Sequence, residues 1–236
     1  MNHKKTITKR LFVYIFGLFA LSLGVSLSIQ AGLGVSPVSS LAYAFSLTAG
    51  LSIGITTVLA NVLFIICQAI INKHVEVKEF FLQLLIAFLF GFFMDATLFL
   101  AQLLPTPGTL IVRCLYLVIS LFVASFGVLH YFSAKLPLMP YDALTYAVSE
   151  RFKLKFGKAK ITGDFINVSV AGAVCLLFIH SFGSIGIGTI IAAYFIGKIA
   201  GWMMVHYQQP LQQRIFQTQN QTSSSKIRKS EESLVR

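Results

Sequence analysis

Residues 22–46 read SLGVSLSIQAGLGVSPVSSLAYAFS, and residues 125–149 read SFGVLHYFSAKLPLMPYDALTYAVS. Aligned without a gap at an offset of 103, the two segments share ten of 25 residues. The segments that follow align at an offset of 106, where ITTVLANV (55–62) matches ITGDFINV (161–168). The chain therefore contains two copies of one unit, and the amino-acid composition of that unit determines the fold class.

Both copies of the unit are composed mainly of apolar residues. The 236-residue chain is 56% apolar and 11% charged, and its mean hydropathy is +0.78. A soluble domain carries about 25% charged residues, so this composition excludes almost any water-soluble enzyme. No charged residue occurs in the 62 positions from Leu11 to Asn72, and the apolar runs do not alternate as the strands of an outer-membrane barrel do. We predict an all-α polytopic membrane protein.

Six stretches are long and apolar enough to cross a bilayer. They are residues 11–30, 51–72, 80–103, 110–132, 161–180 and 185–206. Residues 31–50 are also uncharged, but Gly34 and Pro37 interrupt their first third. We expect a short re-entrant or interfacial helix there, with Ser36 as its N-cap and Pro37 at its first position. Each unit then has three spans, with a short helix between the first and the second.

The net charge of +11 indicates an orientation. With six spans and a cytoplasmic N-terminus, 17 of the 19 basic residues lie on the cytoplasmic side, and the exceptions are Arg113 and Lys198. Seven spans would spread the basic clusters over both sides and lose this asymmetry. We expect both termini in the cytoplasm, the lipid bilayer as the main partner, and no nucleic acid.

A unit with an odd number of spans enters the membrane upside down in its second copy. We therefore predict two inverted three-helix repeats, residues 1–104 and 105–208, followed by a disordered basic cytoplasmic tail, residues 209–236. Many secondary transporters have inverted repeats and bind their substrate at the repeat interface. Some duplicated membrane proteins are channels, enzymes or accessory proteins, so the architecture leaves these alternatives open.

The duplicated segments also carry a family likeness. The residues concerned are SLGVSLSIQAGLGVSP (22–37), the helix with Ser52, Ile53, Gly54 and Asn61, and GSIGIGTIIAAYFIG (183–197). To about residue 207, the chain resembles the YczE/YyaS/YitT family of bacterial inner-membrane proteins. The resemblance implies a permease-like protein or an accessory factor and names no substrate. The Pro-x-Asp loop common in the family is present as Pro140-Tyr141-Asp142 and replaced by Pro37-Val38-Ser39.

Ionisable residues within the spans are the first functional candidates, because a charge is costly in hydrocarbon. Asp95, in the third span, and Arg113, at the start of the fourth, lie at similar depths, which predicts an ion pair. Asp142, Asp164 and Lys198 are expected to converge in the cytoplasmic half as a polar cavity or proton-linked site. A purely structural ion pair is the alternative interpretation.

Two further sets of polar groups are candidates for binding. Asn61 and Asn167 are a duplicated pair that could donate hydrogen bonds to a substrate, or could instead join helices. The amino ends of the two short helices offer unpaired N–H groups to an anion or carboxylate, unless they are only capped turns. The candidate residues at these ends are Gly34, Ser36, Pro37 and Pro140.

The sequence contains no nucleotide-binding, hydrolase or kinase motif. Its three cysteines lie in separate spans, and its histidines have no partner at metal-ligand spacing. We expect no enzymatic activity, no cofactor and no metal.

The favoured function is a secondary transporter or exporter of a small solute, working by alternating access. This interpretation predicts a water-accessible central cavity lined by Asn61, Asn167, Asp164 and Lys198. The alternative is a non-transporting accessory or regulatory protein, with a dry, packed centre and a homo-oligomer or a partner membrane protein as its assembly.

Overall fold

The computed structural model describes residues 2–73 and 77–216. Within these ranges the chain forms eight α-helices and no strand. The helices are α1 (Asn2–Ala31), α2 (Pro37–Ala49), α3 (Ile53–Asn72), α4 (Val77–Gln102), α5 (Leu110–Ser133), α6 (Pro140–Arg151), α7 (Phe156–Ile179) and α8 (Ile187–Met203). A π-helical turn (Met204–Gln208) follows α8, and the chain stays helical to residue 216.

Six of the described helices are long and apolar enough to cross a membrane, namely α1, α3, α4, α5, α7 and α8 with its extension. The helices α2 and α6 have 13 and 12 residues, well short of the roughly 20 that a span requires. The predictions of an all-α chain with six apolar candidate spans and two short helices are confirmed.

The end of the last span differs from the prediction. Residues 209–216, assigned from sequence to a disordered tail, continue the helix that begins with α8. The remainder of the predicted tail, 217–236, lies outside the described residues.

The two short helices start at prolines, as predicted. Pro37 and Pro140 each occupy the first turn, where the missing N–H removes no helical hydrogen bond. Ser36 is the N-cap of α2, but its hydroxyl donates to Ser39 Oγ at 3.3 Å and makes no capping bond to the backbone. Asp142 lies in the first turn of α6, where the helix dipole favours a negative charge.

The helices α1 and α5 are antiparallel and pack along most of their lengths. Near the start of α1, Arg10 Nε donates to the Ala134 carbonyl at 3.0 Å, just past the end of α5. A Cβ added to Gly24 would lie 2.7 Å from Ala124 Cα, and one added to Gly127 would lie 2.7 Å from Leu21 Cα. The glycines thus allow the two backbones into direct contact.

The remaining helices surround this pair. The helix α4 packs on α1, and α8 packs on α5. The short helix α2 packs on α7 and on α3, while α6 packs on α3 and on α7. Leu41, Ala60, Phe64 and Tyr141 form a buried cluster where α2, α3 and α6 meet. This cluster closes the centre of the molecule.

The contact between α3 and α4 is close because both helices carry a glycine there. A Cβ on Gly91 would lie 2.7 Å from the Gly54 carbonyl oxygen. Within the described residues, α7 and α8 form no comparable contact, and a Cβ on Gly197 would meet nothing within 4 Å. The second half of the chain is therefore more open than the first.

Candidate functional site

The start of α6 holds a cluster of charged and phenolic groups, here called the acidic cluster (Tyr131, Tyr141, Asp142, Lys160 and Asp164). Tyr131 Oη donates to Asp142 Oδ2 at 3.3 Å and accepts from the Met139 backbone N–H at 2.6 Å. Lys160 Nζ lies 3.7 Å from Asp142 Oδ1. The Asp142 side chain is only 14% exposed, so α6 begins on a buried carboxyl group.

The second carboxyl group of the acidic cluster belongs to α7. Asp164 accepts a hydrogen bond from Tyr141 Oη, and Lys160 Nζ lies 4.7 Å from the centre of the Tyr141 ring. Tyr141 and Lys160 therefore connect Asp142 to Asp164. These contacts join α6 to α7.

Burial controls the protonation of the acidic cluster. Burial raises the pKa of the Asp142 carboxyl group above its ordinary value of 3.8, although the nearby Lys160 charge pulls in the opposite direction. Burial, and next the charge of Asp164, raise the pKa of the Tyr141 hydroxyl group. The cluster can thus hold a proton on Asp142 more readily than an exposed carboxyl group could.

The duplicated asparagines are both buried, at 5% and 4% exposure, but they bond differently. Asn167 Nδ2 donates to the Pro37 carbonyl at 2.8 Å and to the Val38 carbonyl at 3.2 Å, which anchors α2 to α7. Asn61 Nδ2 donates to Thr57 O at 2.9 Å, within its own helix.

One end of the bundle, here called the closed end, is sealed between the α1–α2 loop and the α7–α8 loop. Gly188 N donates to the Leu33 carbonyl at 2.7 Å, and Val35 N donates to the Ser184 carbonyl at 3.2 Å. Gly34 has φ +104°, and a Cβ there would lie 2.5 Å from the backbone nitrogen of Gly186. Glycine is therefore required where these loops touch.

Beneath these loops, apolar side chains complete the closed end. Ala44, Ala171 and Cys175 are fully buried there. Val174 and Ile185 pack against them. Cys175 Sγ lies 3.5 Å from the buried Ser184 hydroxyl oxygen, and the rest of this layer is apolar.

The other end, here called the open end, carries a pocket of about 510 Å³. It lies at the end of the bundle where α1 begins, since Tyr14 Oη of α1 donates to the carbonyl of Pro137 in the pocket wall, at 2.8 Å. Its wall includes Gln68, Lys78, Glu79, Leu138, Ala147 and Glu150. The residues predicted to line a central cavity, Asn61, Asn167, Asp164 and Lys198, are not among those that line this pocket.

Lys198 was wrongly predicted to join the acidic cluster. Its ammonium group bonds Tyr194 Oη and lies 4.3 Å from the centre of that ring, on an exposed face of α8. The helix α8 packs on α5, and within the described residues it has no substantial contact with α6 or α7. The position of Lys198 along α8 can be read from the sequence, but the direction in which its side chain points cannot.

The predicted Asp95–Arg113 ion pair is also wrong. Asp95 accepts from Gly54 N at 2.7 Å and from Ser52 Oγ at 2.8 Å, so it caps the start of α3. Arg113 Nε donates to the Pro107 carbonyl at 3.3 Å. Among the described residues, the two side chains form no ion pair.

Sequence reasoning missed Lys160, Tyr131 and Tyr141 as members of the acidic cluster. The repeat contained a signal, because at an offset of 106 Lys160 replaces Gly54. A charge in place of a packing glycine indicates that the two halves use this position differently. Within the described residues, no three His, Cys, Asp or Glu side chains come together as a metal site would require.

Comparison with known proteins identifies relatives without an assigned role. A family model described as "Family of unknown function (DUF6198)" matches residues 8–205. The uncharacterised protein YyaS of Bacillus subtilis (strain 168) is 31% identical over 207 residues, which are 88% of this chain and 96% of that protein. An uncharacterised protein of Haemophilus influenzae is 24% identical over 197 residues, 83% of this chain and 84% of its own. No solved structure matches the chain significantly.

Proposed function

We propose that this chain, which belongs to the family of unknown function DUF6198, is a secondary transporter of a small solute that works by alternating access in a bacterial inner membrane. Membership of the family confirms the predicted resemblance to YyaS and its relatives. The proposal assigns the chain no catalytic reaction. It places both termini, and hence the open end, on the cytoplasmic side.

One observation carries the proposal: the two ends are built from equivalent residues but differ in shape. At the repeat offsets, Val35 corresponds to Leu138 and Ala44 to Ala147. Val35 is fully buried at the closed end, whereas Leu138 is only partly buried and lines the pocket. Ala44 is fully buried in the apolar layer, and Ala147, although only 4% exposed, borders the pocket. Alternating access requires such a pair of ends, one shut while the other is open.

The chemistry of the equivalent positions supports the same interpretation. Val174 and Ile185 pack into the apolar layer of the closed end. Their equivalents at an offset of 106 are Gln68 and Glu79, which line the pocket. The open end thus presents polar and charged side chains that can bind water or a polar solute. We propose that this end is the cytoplasmic entrance.

The packing of α1 on α5 supports two inverted repeats. At an offset of 103, Gly24 corresponds to Gly127 and Leu21 to Ala124, so the Gly24–Ala124 contact becomes the Gly127–Leu21 contact when the repeats are exchanged. A twofold axis that exchanges two antiparallel helices is perpendicular to the helix axes. If both helices span the membrane, this twofold axis lies in the membrane plane. Cysteines at the equivalent exposed positions Leu47 and Glu150 should then be labelled from opposite sides, and labelling from one side contradicts inversion.

The acidic cluster supplies a candidate coupling site. Because burial raises the pKa of Asp142, this carboxyl group keeps its proton at a higher pH than an exposed carboxyl group does. Because Tyr141 and Lys160 connect it to Asp164, a proton on Asp142 would change the forces between α6 and α7. We propose that proton binding there is coupled to movement of α6.

A non-transporting accessory protein is the second candidate. The cluster of Leu41, Ala60, Phe64 and Tyr141 packs the centre of the molecule, as this alternative predicts. In the transporter proposal, the same cluster is the barrier that separates the two ends and repacks during the cycle.

The test uses the full chain in liposomes that enclose the small-molecule fraction of a bacterial cytosolic extract. Mass spectrometry of the retained contents should show at least one solute lost from protein-containing liposomes and kept by empty ones. If no solute is lost, transport of this fraction is contradicted and the accessory function gains support.

A disulfide provides the matched control. The Val35 N to Ser184 O distance of 3.2 Å places these residues close enough for a Val35→Cys/Ser184→Cys bridge, with the three native cysteines replaced by alanine. The oxidised variant should stop the loss of solute and reduction should restore it. Asp164→Asn should slow the loss, and an unchanged rate would remove the acidic cluster from the mechanism.

A further inference from the structure

The duplicated asparagines occupy equivalent, buried positions and form unequal bonds. The carbonyl groups that Asn167 holds are those of Pro37 and Val38 in the first turn of α2. Their equivalents at an offset of 103 are Pro140 and Tyr141, in the first turn of α6. These carbonyl groups of α6 are the equivalent partners for Asn61, because α6 packs on α3 as α2 packs on α7. In the structure, however, Asn61 donates to Thr57 of its own helix.

The unequal bonds follow the state of the two ends. The anchored helix, α2, begins directly after the loop that is sealed at the closed end. The helix without this anchor, α6, begins directly after the 136–138 segment, which lines the pocket. A hydrogen bond from the asparagine to the short helix is therefore present at the end that is shut and absent at the end that is open.

The open end also contains buried polar atoms that lack a hydrogen-bond partner. Among the described residues, the buried side-chain atoms without a hydrogen-bond partner are Oε1 of Gln68 and Oε1 of Gln83. At an offset of 106, Gln83 corresponds to Thr189, whose Oγ1 accepts from Gly186 N at 3.2 Å at the closed end. A buried polar group without a hydrogen-bond partner costs free energy. If the open end closed as the other end has, the 136–138 segment would approach Gln83 in the way that the 33–35 segment approaches Thr189.

We infer that Asn61 and Asn167 are a pair of alternating latches: Asn167 holds α2 while the closed end is shut, and Asn61 takes hold of the Pro140 and Tyr141 carbonyl groups when the open end shuts. Each latch joins a short helix to a span of the other repeat, so exchange of the bonds moves both ends together. The inference rests on the proposed alternating access and assigns positioning roles to two residues that touch no solute.

Thiol reactivity tests the latches without a known solute. Val35→Cys and Leu138→Cys are introduced separately into a chain whose native cysteines are alanine, and a water-soluble methanethiosulfonate reagent is applied to the protein in liposomes made permeable to it. Val35 is 0% exposed and Leu138 lines the pocket, so the second thiol should react much faster. The variant Asn167→Ala should raise the labelling rate of Val35→Cys about tenfold, since it removes buried hydrogen bonds.

The matched control is Asn61→Ala. In the present state it removes only a bond within α3, and because it weakens the latch of the alternate state, it should lower and not raise the Val35→Cys rate. Asn167→Leu keeps the branched shape of the side chain without its hydrogen-bonding groups and should act like Asn167→Ala. An unchanged elution volume of each variant shows that the chain is folded. No increase at Val35→Cys in either folded Asn167 variant would overturn the latch.

The second thiol separates the latch from the transport proposal. If Asn167→Ala raises labelling at Val35→Cys and lowers it at Leu138→Cys, both the latch and alternating access are supported. If labelling rises at both Val35→Cys and Leu138→Cys, Asn167 anchors α2, but the two ends open independently, and alternating access and the exchange of latches are both contradicted.

Discussion

The loop before α2 and the loop before α6 are equivalent in sequence and opposite in structure. The 33–35 segment is hydrogen-bonded to the α7–α8 loop, and the 136–138 segment lines a pocket. Gly34 is replaced by Pro137 at the repeat offset. The duplication kept the order of the helices, while substitutions at single positions set how closely each loop packs against its neighbours.

The largest effect is expected where the closed end depends on glycine. Gly34→Ala places a Cβ at φ +104° and 2.5 Å from Gly186 N, so the free energy of unfolding should fall by about 3 kcal/mol. Pro137→Ala, at the equivalent exposed position, should change it by less than about 1 kcal/mol. Thermal unfolding in detergent measures both, and equal losses would contradict the difference between the two loops.

The two halves can be compared again through the last span of each repeat. Gly91→Ala would bring a Cβ 2.6 Å from Val58 Cγ2 and should lower the free energy of unfolding by about 2 kcal/mol. Gly197→Ala meets nothing within 4 Å and should raise it by about 0.5 kcal/mol through helix propensity. A loss at Gly197→Ala as large as that at Gly91→Ala would mean that another helix covers this face of α8.

The smallest effect concerns the position that carries Asp142 in α6 and Ser39 in α2. Because the folded-state pKa of Asp142 is raised, its contribution to stability is present at low pH and is lost as the pH rises through that pKa. Asp142→Asn removes this loss, so its stability relative to the wild type should increase between pH 4 and pH 8.

Ser39→Ala is the control for this pH dependence, because no titrating group is changed. Its stability relative to the wild type should be the same at pH 4 and pH 8 in the same thermal unfolding measurement. An Asp142→Asn difference that decreases toward pH 8 would contradict the raised pKa.

The elements were predictable because apolar length and proline position act locally. Six runs longer than a bilayer core became six candidate spans, and Pro37 and Pro140 started the short helices where expected. Asp142 and Asp164 are linked because a short loop lets α6 fold back on α7, which places the start of α6 beside the first half of α7.

The side-chain partners were less predictable, because sequence gives the depth of a residue in a span but not its direction around the helix axis. Asp95 and Arg113 lie at similar depths, yet Asp95 turns toward the start of α3 and bonds Gly54 N. Lys198 turns to an exposed face of α8. Successive residues differ by about 100° around a helix, so a pair is decided by helix rotation, which tertiary packing sets.

The contact of α1 with α5 has a consequence for biosynthesis. About 100 residues separate Gly24 from Ala124, and a ribosome adding about 5–20 residues per second needs about 5–20 s to make them. The helix α1 is therefore made well before its main partner α5, and its serines and glycines meanwhile face lipid or the insertion machinery. Assembly of the core is late, and a chain shortened before α5 would present an unfinished surface to quality-control proteases.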